Sequence, residues 1–161
     1  MTILSPETLN HYLSESEIKW LVDPSSLTKK LREFTHNKIT FHVLQDAWGI
    51  ADDASRVLLS IPAEEKTWLR HIEWRFENRV WIDAVVVIPD SSLQNAPELN
   101  KIGKNPIGDI LFQDPTLLRD EFIFEKMGNN FLRRSVFRFK KQPLLINETF
   151  LPNFFARARS H

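Results

Sequence analysis

Apolar positions along this chain change period once. Near the N-terminus they recur three or four residues apart, as on one face of a helix; later they alternate in twos, as on a strand. Ser5-Pro6 combines an N-cap with a proline at the first helical position and predicts a short helix from Glu7 to Leu13. Ser14-Glu-Ser-Glu17 has capping-box spacing, and Ile18, Leu21 and Val22 continue it as a helical stripe that Pro24 stops. Ser26 caps a third helix from Leu27 to Phe34, with Leu27, Leu31 and Phe34 on one face.

Alternation begins at Lys38 to Gln45, where Ile39, Phe41 and Val43 oppose Thr40 and His42. Trp48 to Pro62 reads mostly as loop, with a strand near Arg56 to Ser60. Thr67 to Phe76 and Val80 to Ile88 form the clearest pair, a hairpin turning through Glu77-Asn78-Arg79. Trp68, Arg70, Ile72, Trp74 and Phe76 share one face of its first arm; the second arm is β-branched and reads as a central strand. Pro89 to Asn100 reads as loop with a helical turn, and Asn105-Pro106 opens a short helix. Leu118 to Lys126, Arg134 to Lys140 and Leu144 to Leu151 read as three further strands. Helices first and a meander of strands after them predict one α+β domain over 1–161, with an antiparallel sheet of about six strands. Residues 1–14 and 156–161 are expected at its periphery, the tail from Ala156 being frayed.

Composition narrows the partners. The 161 residues are 42% hydrophobic and 26% charged, enough for a real core. The formal net charge is 0, so no basic field points to nucleic acid. Absence of Cys excludes disulfides, thiolate metal sites and a Cys nucleophile. The five His lack metal-ligand spacing, and no P-loop, GxGxxG or GxSxG occurs. No apolar run is long enough to span a bilayer, and the first residues lack signal-peptide organisation; a cytoplasmic protein is expected.

Two charged residues interrupt apolar faces. On the last strand Leu144, Ile146, Glu148 and Phe150 share a side, which puts a carboxylate among apolar neighbours. Glu148 could face solvent, pair with an internal Arg, or line a buried polar pocket, and period alone favours none of these. Arg70 between Trp68 and Ile72 poses the same choice: a structural pair with Glu148, a wet face, or a buried guanidinium awaiting an anion. The helix starts at Leu27 and Ile107 each offer backbone N–H groups suited to an anion, although every helix has such an end. Arg133-Arg134 and Lys140-Lys141 read as a solvated edge and turn.

With these segments in place, the chain resembles the chorismate lyase family of bacterial ubiquinone biosynthesis. The resemblance runs from about Leu21 to Phe154 and rests on six ordered blocks. They are Ser26 to Leu31, Trp68-Leu69-Arg70, Leu99 to Gly108, Leu117 to Asp120, Arg133-Arg134-Ser135 and Pro143 to Pro152. It implies an antiparallel sheet whose product site is closed by short helical flaps. It implies elimination of pyruvate from chorismate to give 4-hydroxybenzoate, by a monomer, with no metal or organic cofactor and no nucleic-acid partner. It also implies site roles: Arg70 and the backbone N–H groups of Leu27 and Ile107 on the ligand carboxylate, and Glu148 on the ring hydroxyl. Trp68 and Phe150 would exclude water. Three positions depart from the pattern: Val85 where members carry Arg, Leu27 where Met is common, and Asn130-Phe131-Leu132 ahead of Arg-Arg-Ser. The rival expectation is a non-catalytic aromatic-acid-binding domain of the kind found in bacterial transcription regulators; a lyase on a related cyclohexadiene is a third.

Overall fold

The computed structural model describes residues 2–159. In chain order the elements are β1 (Thr2–Leu4), a 3-10 turn at Pro6–His11, α1 (Glu15–Val22), α2 (Leu27–Phe34), β2 (Thr40–Gly49) and α3 (Asp53–Leu59). The hairpin β3 (Thr67–Phe76) and β4 (Arg79–Pro89) follows, then α4 (Asp90–Asn95), a 3-10 turn at Pro97–Asn100 and α5 (Gly108–Leu111). The chain then runs through β5 (Leu118–Arg119), β6 (Ile123–Met127), β7 (Asn130–Phe139), β8 (Gln142–Phe150) and α6 (Pro152–Ala158). The strands form one antiparallel sheet in the order β1-β6-β7-β8-β4-β3-β2, with β5 beside β7. No helix among the described residues is long and apolar enough to cross a membrane.

The α+β class holds, but the sheet has eight strands rather than about six. β1 adds one. The other arises because the stretch from Leu118 divides: Arg119 pairs with Phe137 but Ile123 with Arg134, one residue out of step. The break falls at Asp120-Glu-Phe122, with Asp120 N–H still donating to the Val136 carbonyl at 2.9 Å.

Residues 48–62 also differ from the expected loop. β2 runs on to Gly49 past a bulge at Leu44, which shifts the face alternation and hides the strand's second half from a period-2 reading. Asp52 then accepts from Ser55 N–H at 2.8 Å and caps α3. The expected frayed tail is helical as far as Ala158, which is buried with Phe154 and Phe155 in the core; residues 160–161 lie outside the described range. Leu9, within the segment expected to be peripheral, is buried too. The caps were legible: Ser14 and Glu17 close the capping box of α1, and Ser26 caps α2.

Two apolar clusters share the helical face of the sheet. One joins Ile72, Trp74, Ile82 and Phe150 to α1, α2 and α6. The other joins Val86, Ile88, Phe137 and Leu144 to the segments carrying Leu93, Leu99 and Leu111. The charged residues of the sheet's middle rows fall between them. The opposite face is covered by α3 over Val87, Val136 and Leu145.

Candidate active site

Pairing across β3, β4, β8 and β7 sets the floor of this gap. Arg70 lies opposite Val86, Val86 opposite Ile146, and Ile146 opposite Ser135. The adjacent row runs Ile72, Ala84, Glu148, Arg133. Arg70 and Glu148 thus stand two strands and one row apart, about 12 Å at the usual strand spacing and rise. The first turn of α2 and the segment Pro106-Ile107-Gly108 close over them. The space between them, open mouth included, is about 540 Å³.

All four residues singled out from the sequence line this one cavity: Leu27, Arg70, Ile107 and Glu148. Arg70 is only 1% exposed. Its Nη2 donates to the Asn105 carbonyl at 2.6 Å, while Nε and Nη1 are buried without a partner. Burial pulls its pKa below the ordinary arginine value, with the Asp46 carboxylate partly opposing the shift. A buried guanidinium with two idle donors is costly and suits an anion.

The internal Arg that Glu148 meets is not Arg70. Arg133 Nε donates to Glu148 Oε1 at 2.7 Å, and both side chains are buried. Arg133 Nη1 also donates to the Leu21 carbonyl at 2.9 Å and to those of Trp20 and Asp23 at 3.3 Å each. This pair corrects the reading of Arg133-Arg134 as a solvated edge. On a strand the two point to opposite faces, and each finds a carboxylate: Arg133 takes Glu148 on β8, and Arg134 takes Glu125 on β6 at 2.9 Å. The signal was present in the sequence, since Arg133 shares period 2 with Phe131, Ser135 and Phe137.

The flap ends are positioned by local chemistry. Ser26 Oγ accepts from Lys29 N–H at 3.2 Å, so the Leu27 and Thr28 N–H groups remain without an intrahelical acceptor at the cavity edge. Gly108 packs so closely on α2 that a Cβ there would sit 3.0 Å from Thr28 Oγ1. Arg32 on α2 forms a two-pronged ion pair with Asp109 on α5, at 2.9 and 3.3 Å. Thus the two flaps are latched to each other over the cavity.

Phe41, Trp74, Phe112 and Phe137 supply the aromatic wall. The expected Trp68 and Phe150 do not line it. Trp68 donates its indole N–H to Asp46 and packs on Trp48, while Phe150 is buried in the core beneath Arg133. His42 bonds Thr40 and His71 pairs with Asp83, both away from the cavity lining. Val85 lies on the other face of the sheet, beside Leu69, Arg134 and Asn147, so the residue at this position does not touch the cavity. Arg119 and Thr28 also line the cavity, although neither stood out in the pattern. Among the described residues no three His, Asp or Glu cluster as metal ligands.

Comparison with known proteins agrees with this geometry. The family described as Chorismate lyase matches residues 2–160. A protein of Coxiella burnetii named probable chorismate pyruvate-lyase is 34% identical, the match covering 87% of this chain and 85% of that one. A chorismate pyruvate-lyase of Enterobacter sp. is 33% identical, again over 87% of this chain and 85% of the relative. Among solved structures, the C-terminal domain of PhnF superposes with a TM-score of 0.57 at 12% identity, over 76% of this chain and 87% of that one. The C-terminal domain of a histidine utilization repressor from Pseudomonas syringae gives 0.56 at 13% identity, over 71% and 92%. At such identities the structures share the fold alone.

Proposed function

Because this chain belongs to the chorismate lyase family of carbon–oxygen lyases, we propose that it eliminates pyruvate from chorismate to leave 4-hydroxybenzoate, the first committed step toward ubiquinone. The observation that carries this reading is Arg70, buried with two idle N–H donors, facing Glu148 across the apolar floor of Ala84 and Val86. A para-substituted six-membered ring spans such a gap. Arg70 takes the ring carboxylate on its idle guanidinium N–H donors. The Leu27 and Ile107 N–H groups complete the anion clamp, so Leu27 in place of Met is a mild change. Glu148, fixed by Arg133, accepts from the ring hydroxyl.

The chemistry balances on chorismate alone. The ring C–O bond to the enolpyruvyl group breaks and its electron pair leaves with that oxygen. The neighbouring hydroxyl-bearing carbon loses its proton, the ring becomes aromatic, and the enolpyruvate methylene gains a proton to give pyruvate. Aromatisation supplies the driving force, so the protein's part is to orient the ring and stabilise developing charge in a dry cavity.

Incubation of purified protein with chorismate, followed by chromatography, should yield equimolar 4-hydroxybenzoate and pyruvate well above the uncatalysed background. No product would sink the lyase reading, and tight 4-hydroxybenzoate binding without turnover would favour the non-catalytic one. Turnover of another cyclohexadiene in preference to chorismate would reassign the substrate. The latched flaps also slow product escape. Arg32→Ala removes the latch, an ion pair that is partly exposed and worth little by itself. It should speed 4-hydroxybenzoate dissociation about two- to fivefold in stopped-flow displacement, with less effect at high salt. An unchanged off-rate would show that the latch does not hold the flaps.

A further inference from the structure

Three arginines line the cavity, but only one carboxylate does: Glu148. It is matched by Arg133. Among the described residues Arg70 and Arg119 form no ion pair. The cavity therefore holds two cations without an ion-pair contact, whereas a monocarboxylate product would answer only one.

Arg119 is held in place by neutral groups. Nη1 donates to the Pro24 carbonyl at 2.7 Å and Nη2 to Ser135 Oγ at 3.2 Å, while Nε is buried without a partner. The guanidinium lies over the rings of Phe122 and Phe137, at 4.2 and 4.4 Å from their centroids. Burial first, and repulsion from Arg133 second, lower its pKa to about 10; Glu148 and Asp23 oppose the shift but are committed to Arg133 and Lys30. Ser135, its anchor, ends the sheet row that begins at Arg70, three strand spacings or about 14 Å away, with Val86 and Ile146 between. The two free cations thus flank one apolar floor.

We propose that Arg119 binds the carboxylate of the enolpyruvyl side chain, so that the cavity selects ligands carrying one carboxylate on the ring and a second on a side chain. The assignment rests on the elimination reading above and deepens it. As the ring C–O bond breaks, negative charge grows on the departing enolpyruvyl oxygen. A guanidinium fixed on that fragment's carboxylate stabilises the transition state more than the bound substrate. After cleavage it holds pyruvate, not the aromatic product.

Calorimetry with two stable ligands separates this role from a structural one. The probes are 4-hydroxybenzoate, with one carboxylate, and 3-(carboxymethoxy)-4-hydroxybenzoate, with two. Arg119→Gln should leave 4-hydroxybenzoate affinity within about twofold, weaken the dicarboxylate by about thirtyfold or more, and lower kcat/KM for chorismate at least as much. Arg119→Lys should recover part of both losses. In the unaltered protein, masking the side-chain carboxylate as its methyl ester should cost a similar factor, a measurement independent of how any variant folds. Equal losses for both probes, or tolerance of the ester, would overturn the assignment. If the protein binds the dicarboxylate through Arg119 but turns over no chorismate, the lyase reading fails and the subsite stands.

Discussion

Arg70→Met is expected to lower kcat/KM for chorismate by about 2–5 kcal/mol, roughly thirty- to several-thousandfold, without lowering stability. Both halves follow from one fact. Arg70 keeps a single hydrogen bond, to the Asn105 carbonyl, and leaves Nε and Nη1 buried and unmet. Each buried idle donor costs about 1–3 kcal/mol, while the bond that Arg70 does make contributes about 1 kcal/mol. A thioether of similar length gives up that bond and removes the unmet donors, so the melting temperature should hold or rise. A residue kept at the expense of stability has the profile expected of a ligand-binding group. Steady-state kinetics and thermal melts check the two halves. Wild-type kinetics would remove Arg70 from the site, and a large fall in melting temperature would make it a structural residue.

Arg133→Met should do the reverse and destabilise strongly. It strips a buried carboxylate of its charged partner and leaves the Leu21 carbonyl without its donor. Breaking one side of a buried pair typically costs about 3–5 kcal/mol, which for a chain of 161 residues lowers the melting temperature by roughly 6–20 °C. Glu148→Leu placed on top should return most of that stability, because no charge is then left uncompensated. Neither variant should turn over substrate, since Glu148 is lost or misplaced in both. A double-mutant cycle by urea denaturation gives the coupling directly. Additive losses, with no recovery in the double variant, would mean that the pair does not hold Glu148.

These two arginines show what the sequence could and could not convey. Arg70 was legible because it interrupts an aromatic face in a long, regular strand, and Glu148 because it does the same among Leu144, Ile146 and Phe150. The start of α2 at Leu27 was legible through Ser26, whereas α5 begins at Gly108 with Ile107 as its N-cap, so Asn105-Pro106 marked the segment but not the cap. Arg133 was obscured by its neighbour: two adjacent arginines look like one solvated charge run, yet strand geometry sends them to opposite faces and buries both. Which carboxylate each would meet depends on the pairing of β6, β7 and β8, and that register is not written in any one strand. Arg119 sits in a two-residue strand too short to show a period. The bulge at Leu44 broke the alternation of β2. α3 was missed because Val57, 76% exposed, opens its short apolar run and blurs the stripe. The departure at Val85 proved neutral for the cavity wall, since its neighbours Ala84 and Val86 are the residues that face the ligand space.

A crystal structure of the protein grown with 4-hydroxybenzoate tests this site assignment. One molecule should lie on the floor of Ala84 and Val86. Its carboxylate should lie within hydrogen-bond reach of the Arg70 guanidinium and of the Leu27 and Ile107 N–H groups, and its hydroxyl should donate to Glu148. A ring bound in the opposite sense, with its carboxylate toward Arg119 and away from Arg70, or bound outside this cavity, would contradict it.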